Sequence, residues 1–164
     1  DDDVAAEMYE ATCKQLADSG YEQYEISNWS LPGRACRHNL MYWTNGNWWP
    51  MGPSASGHVN GVRWKNMPRL TAYLDSQSHP PITDVEQLDA DGRAGESLML
   101  GLRVRAGIAN DRFDELIATG QRASERSRAC EAHLNAGLLE RTATRTRLTD
   151  RGVLLADTVL ADFV

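Results

Sequence analysis

Cysteine is scarce in this chain: three residues among 164, at positions 13, 36 and 130. An odd number at wide spacing excludes a disulfide framework and a zinc site, and it suits a reducing cytoplasm. Long apolar runs are missing as well, since none approaches the roughly 18–20 residues of a membrane-spanning helix. No basic, apolar leader opens the sequence. It begins Asp1-Asp2-Asp3 without an initiator methionine, which suggests a fragment or a processed product. A surplus of positive charge is also absent. Residues 1–88 hold six basic and eleven acidic side chains, a balance of −5, and 89–164 hold eleven and twelve, a balance of −1. Neither half can neutralise a phosphate backbone, so no nucleic-acid partner is expected. No serine sits on a nucleophile elbow, and the proximity of Cys36 to His38 is not a protease arrangement.

What is present is a globular composition, 41% hydrophobic and 24% charged, with room for one ordinary domain or two small ones. The periodicity predicts a helix over 3–19, with Val4, Met8, Ala11, Cys13, Leu16 and Ala17 on its apolar face and Gly20 at its end. Cys13 reads as a small buried hydrophobe. Alternation over 21–29 predicts a short strand in which Glu25 is either ligand-facing or a solvated or edge-facing carboxylate. Turns follow at Pro32-Gly33 and Asn45-Gly46-Asn47, and Val59–Trp64 reads as a hairpin around Asn60-Gly61. A helix is expected from Met67 to 76–78, burying Leu70, Tyr73 and Leu74. His79-Pro80-Pro81-Ile82 then interrupts regular structure, and the boundary between two parts, 1–80 and 85–164, is placed there.

The second part predicts a deeply buried helix over 89–105, a helix over 112–119 stopped by Gly120, and one over 124–136 with Ser124 as N-cap and His133 partly exposed. A small hairpin over 140–149 and a closing helix over 150–163 complete it. Helices, a hairpin and a helix together suggest a winged-helix-like module, and the near-neutral charge makes it a packing or interaction module rather than a DNA reader.

All five tryptophans fall between Trp29 and Trp64, interleaved with small and polar residues. Large faces to stack on, bare backbone to approach and a few orienting donors are what a pocket for a flat ligand needs. A β-rich core with tight turns would have the same composition. Within this stretch a histidine two residues from a cysteine could ligate heme iron through imidazole or thiolate, and Arg37 could fork onto a carboxylate.

The strings Tyr24-Glu-x-Ser-Asn-Trp29, Pro32-Gly-x-x-Cys-Arg-His-Asn-x-x-Tyr-Trp43, Gly52-Pro-Ser-Ala55 and Val62-Arg-Trp-x-Asn66 resemble one family. So do Leu98-Met-Leu-Gly-Leu-Arg103, Gly137-Leu-Leu139 and Leu148-Thr-x-x-Gly152. It is the HemW-type branch of the oxygen-independent coproporphyrinogen III oxidase-like radical SAM proteins, regarded as heme chaperones. The resemblance covers nearly the whole chain, in order, but only the C-terminal part of the family. It implies an α+β fold: residues 1–80 supply strands and helices that extend a radical SAM barrel, and a small helical winged-helix-like domain follows. It implies heme contacts at Cys36, Arg37, His38, Asn39, Tyr42 and Trp43, with His38 a candidate ligand of the heme iron. It also implies a loop near S-adenosylmethionine at Gly52, Pro53, Ser54, Ala55 and Ser56. Two residues depart from the family's loop: Pro50 stands where a glycine is usual and Ser56 where a histidine is usual, with His58 the available substitute.

The family's cluster motif, Cys-x3-Cys with a further Cys-x2-Cys spacing, has no counterpart among the three cysteines. The [4Fe-4S] cluster is therefore expected in a missing N-terminal barrel, and this chain alone is not expected to be catalytic. Three readings follow: the C-terminal portion of a heme chaperone that binds heme or porphyrin; part of an oxygen-independent coproporphyrinogen III oxidase; or a non-catalytic interaction remnant. Aromatic residues facing an absent barrel would leave an apolar edge prone to self-association.

Overall fold

The computed structural model describes residues 2–76 and 78–164. Helix α1 (Asp2–Asp18) leads into a hairpin of β1 (Glu22–Glu25) and β2 (Asn28–Ser30), then α2 (Arg37–Trp43). The second sheet contains β3 (Ser56–Val59) and β4 (Val62–Asn66); α3 (Leu70–Leu74) precedes its third strand, β5 (Ile82–Gln87). The remainder is α4 (Ala90–Arg103), β6 (Ile108–Ala109), α5 (Asn110–Ile117), α6 (Ala123–Asn135), β7 (Leu139–Arg141), β8 (Arg145–Leu148), α7 (Asp150–Leu154) and α8 (Ala156–Ala161). The strands form three separate antiparallel sheets, ordered β1-β2, β3-β4-β5 and β6-β8-β7. This is an α+β architecture, and the described residues form no closed barrel.

The apolar core lies in the second half. Leu98 and Leu102 of α4 meet Phe113 and Leu116 of α5, Leu139 and Leu148 of the third sheet, and Val159, Leu160 and Phe163 at the end of the chain. Arg126 of α6 is buried among them. Its guanidinium donates to the carbonyls of Asp91, Thr119 and Phe163 and pairs with the Asp91 carboxylate at 3.2 Å, so each of its three nitrogens has an acceptor. Asp91 also accepts from the backbone amides of Gln121 and Arg122, tying α4 to the start of α6. Those bonds hold its carboxyl below the usual range.

Several local expectations are corrected. The stretch 21–29 folds back on itself at Ile26-Ser27 to make β1 and β2 rather than one strand. The inner face of α1 is Ala6, Tyr9, Cys13 and Leu16, while Val4 and Met8 are exposed. Residues 82–87, expected just beyond a break, form β5 because their backbone completes the outer edge of β4. Helix α3 is only one turn and a half, and Leu70 and Leu74 are 57% and 66% exposed. Its expected end at 76–78 includes Gln77, which lies outside the described residues.

Helix α6 has Arg122, not Ser124, at its N-cap position, since Asp91 supplies the acceptor from another helix. His133 is buried and bonded through Nε2 to Asp162 at 2.9 Å. The closing helix splits at Leu155, and its inward residues are Val153, Ala156, Val159 and Leu160, whereas Leu154, Thr158 and Ala161 are exposed.

Candidate functional site

Helix α2 carries His38 and Tyr42 four residues apart, hence on one face. Their side chains meet edge to face, with His38 Nε2 2.8 Å from Tyr42 Oη. Tyr42 packs edge-on against Trp48, with 4.6 Å between ring centroids. These three residues, with Trp49, Met51 and Ser56, line an open groove of about 490 Å³ that Pro50 and Ala55 also border. The groove therefore brings together parts of both candidate sets: His38 and Tyr42 from the Cys36–Trp43 string, Ala55 and Ser56 from the loop. Met51 and Trp49 are 83% and 64% exposed, so the groove's rim is apolar and open.

The other candidates sit elsewhere. Cys36 and Arg37 are exposed at the start of α2. Asn39 donates to Tyr24 Oη at 3.1 Å and fastens α2 to β1. Trp43 points into the body, where the Arg103 guanidinium lies 4.6 Å from its ring centre. Arg103 in turn faces Glu25 at 3.7 Å. Glu25 is neither ligand-facing nor solvated but fully buried: its Oε1 accepts from the amide of Ser27 and the side chain of Asn28. The string Tyr24–Trp29 thus encodes a self-capped turn anchored to α4.

The loop after Trp49 is held from behind. Asn66, buried at the end of β4, donates to the carbonyls of Pro50 at 3.3 Å and Gly52 at 3.0 Å, and its own amide donates to Ala55 O at 2.9 Å. Tyr73 Oη accepts from the Gly52 amide at 3.1 Å. Gly52 has φ 98° and Ser54 φ 61°, so the loop passes twice through left-handed backbone. Gly57 is required for packing: a Cβ there would lie 2.6 Å from the Pro50 ring and from the Trp64 indole. Pro50 is thus a buried packing element, and the departure from glycine at that position closes off backbone approach.

His58 is buried, with Nδ1 2.7 Å from Gly46 O, and its ring lies against Trp48. It does not line the groove and does not stand in for a histidine at position 56. Arg63 of the same string reaches Glu96 on α4 and Glu86 on β5, locking the second sheet to the second half of the chain. Sequence reasoning missed Asn66 and Tyr73 as loop holders and Trp49 and Met51 as groove walls. The Val-Arg-Trp-x-Asn string contains the signal for Asn66. Among the described residues no group of three or more His, Cys, Asp or Glu is placed to hold a metal ion.

Comparison with known proteins places this arrangement. The family model for the HemN C-terminal domain matches residues 88–155. Over 162 residues, 98% of its length, the chain is 41% identical to the heme chaperone HemW of Mycobacterium tuberculosis and covers 39% of that protein. This chain corresponds to the C-terminal HemW-like region. The heme chaperone HemW of Lactococcus lactis is 31% identical over 163 residues, with 99% of this chain and 43% of the relative covered. The chain therefore spans about two-fifths of the length of the curated relatives it matches. The solved structure of coproporphyrinogen III oxidase (HemN) from Escherichia coli, described as a radical SAM enzyme, superimposes with a TM-score of 0.69. It covers 94% of this chain and 39% of the oxidase at 16% identity, a likeness of fold. The HemW-like region therefore has its groove on the half that precedes the HemN C-terminal domain match.

Proposed function

We propose that this chain supplies the heme-contacting wall of a HemW-like heme chaperone. The observation that carries the proposal is the groove, where one imidazole and one phenol sit among two tryptophans and a methionine. These residues fit the group. A neutral imidazole is a common iron ligand, and indole, thioether and proline surfaces suit the face of a macrocycle. When bound, heme would supply a redox-active iron. The chain would hold it through His38, stack Trp48 and Trp49 on it and shield it with Met51. Tyr42 would orient the imidazole through the bond at Nε2. Arg37, exposed at the mouth of α2, would take a propionate.

S-adenosylmethionine and the [4Fe-4S] cluster belong in this reading to the barrel region of the parent protein. The loop Gly52-Pro53-Ser54-Ala55-Ser56 would meet S-adenosylmethionine as a firm wall, because Tyr73 takes the Gly52 amide and Asn66 the carbonyls of Gly52 and Ala55. Residues 1–80 would extend that barrel, and the exposed Leu70, Leu74, Ile82 and Val85 would pack on it or drive self-association. Residues 85–164 would form the winged-helix-like interaction module. The three free thiols suit a cytoplasmic setting.

Titration of the purified chain with hemin tests the site. A saturable Soret shift is expected at micromolar hemin, weakened about tenfold in His38→Ala and less in Tyr42→Phe. No shift at micromolar hemin, or a shift indifferent to both substitutions, would overturn the proposal.

A further inference from the structure

Helix α2 has a second working face. His38 and Tyr42 look into the groove, while Leu40, Trp43 and Thr44 line a different hollow, bounded by α4 and α5. That hollow has two chambers of unlike character. The first, about 410 Å³, is bordered by Asn47, His58, Asn60, Arg93 and Glu115. The second, about 420 Å³, is bordered by Leu40, Trp43, Gly101, Val104 and Ile108. Thr44, Ser97, Arg112 and Leu116 line both, so the two adjoin at these residues, as the polar and apolar ends of one candidate cleft.

The polar end is set up for an anion. Arg93 donates from Nη1 to the carbonyl of Leu88 at 2.6 Å and meets no carboxylate among the described residues, so its charge is uncompensated. Arg112 shares its charge with Glu115 at 2.7 Å. Beside them, His58 Nδ1 faces a backbone carbonyl, which can only accept. Trp43 walls the apolar end, and its indole Nε1 is a buried donor without a partner among the described residues. Native interiors rarely leave such donors unpaired.

We propose that this cleft is a second binding site, for a small amphipathic carboxylate. Its acidic head would lie between Arg93 and Arg112, and its flat apolar body along Trp43, Leu116 and Ile108. The groove and its heme reading are not required, because the two sites occupy opposite faces of α2.

The test uses indole N–H correlation spectra of the 15N-labelled chain, which has five tryptophans, with the Trp43 signal assigned by Trp43→Phe. The probes are 2-naphthoate and its uncharged counterpart 2-naphthalenemethanol. Naphthoate is expected to move the Trp43 signal saturably and to bind about tenfold more tightly than the alcohol, the effect of one charge-assisted contact. The double variant Arg93→Gln/Arg112→Gln, at two exposed positions, should retain its spectrum and lose that preference, while His38→Ala should leave naphthoate binding unchanged. Equal affinity for acid and alcohol would overturn the proposal. So would an acid preference that survives the double variant, or shifts confined to Trp48 and Trp49.

Discussion

The two halves of this molecule hold themselves together by different means. All fourteen buried hydrophobic residues among those described lie between Ala94 and Phe163. In the first half the buried side chains that organise structure are polar: Glu25 under the β1–β2 turn, His58 on Gly46, and Asn66 behind the loop. Several of its large apolar residues are exposed, among them Met8, Trp49, Met51, Leu70 and Leu74. An apolar core is cooperative and tolerant of direction, whereas a hydrogen-bonded clamp is directional and local. The second half is thus built to stay folded, and the first to hold particular loops in place.

Substitution can break this contrast. Leu98→Ala removes a fully buried side chain from the centre of the core and should cost about 3 kcal/mol or more, read as a lower urea midpoint for the whole chain. Glu25→Gln should cost less, about 2 kcal/mol, because the Ser27 and Asn28 donors keep an acceptor and the Arg103 guanidinium it leaves unpaired is 3.7 Å away and partly exposed. Thermal denaturation checks the order of the two. If Glu25→Gln exceeded Leu98→Ala, polar anchoring would not be the weaker of the two means.

Asn66→Ala is more local. It strips two carbonyls of their donor and should cost about 1–2 kcal/mol, with faster amide exchange confined to 50–56 and unchanged protection in α4 and α8. Loss of protection in α4 would show that the halves unfold as one.

What the sequence made legible follows the same division. Near-neighbour signals were readable. Asn60-Gly61 sits in its hairpin turn with φ 51° and 82°, and Gly120, expected to stop a helix over 112–119, follows α5 with φ 75° after a C-cap at Ala118; helix α2, which sets His38 and Tyr42 four residues apart on one face, was not foreseen. What escaped depended on partners far along the chain. Glu25 could be placed only by knowing Arg103, His133 only by knowing Asp162, and the N-terminus of α6 only by knowing Asp91. Periodicity also marked Leu70 and Leu74 as a face without saying what covers it, and here it faces outward. The groove was half legible: its histidine and tyrosine stood in a string, but Trp49 and Met51 join them only because Asn66 folds the loop over.

A smaller effect is confined to acid pH. The Asp91 carboxyl is held below the usual range by the Gln121 and Arg122 amides, with further help from Arg126. A group whose folded pKa is depressed contributes stability above its unfolded pKa, about 3.9 for aspartate, and loses it as pH falls through the folded value. Melting temperature should therefore fall as pH drops below about 3.9, and Asp91→Asn should flatten that limb after a uniform loss at neutral pH. An unaltered acid limb would show that Asp91 is not the carboxylate responsible. The Asp114 carboxyl, depressed by Arg141, contributes in the same direction and remains in the variant.

The smallest effect is the sharpest test of the contrast. Leu74→Ala is the same chemical change as Leu98→Ala, but Leu74 is 66% exposed on α3. Its side chain has little burial to lose, and alanine has the higher helix propensity, so stability should change by less than about 0.5 kcal/mol in either direction. Equilibrium unfolding and sedimentation should be measured on the same samples. If Leu74→Ala were to cost as much as Leu98→Ala in the isolated chain, the outward-facing leucine would be covered in solution by another copy. The cost would then scale with protein concentration, as association requires. A cost independent of concentration would instead mean that α3 packs inward, and the contrast between a self-contained half and an outward-facing half would fail at that helix.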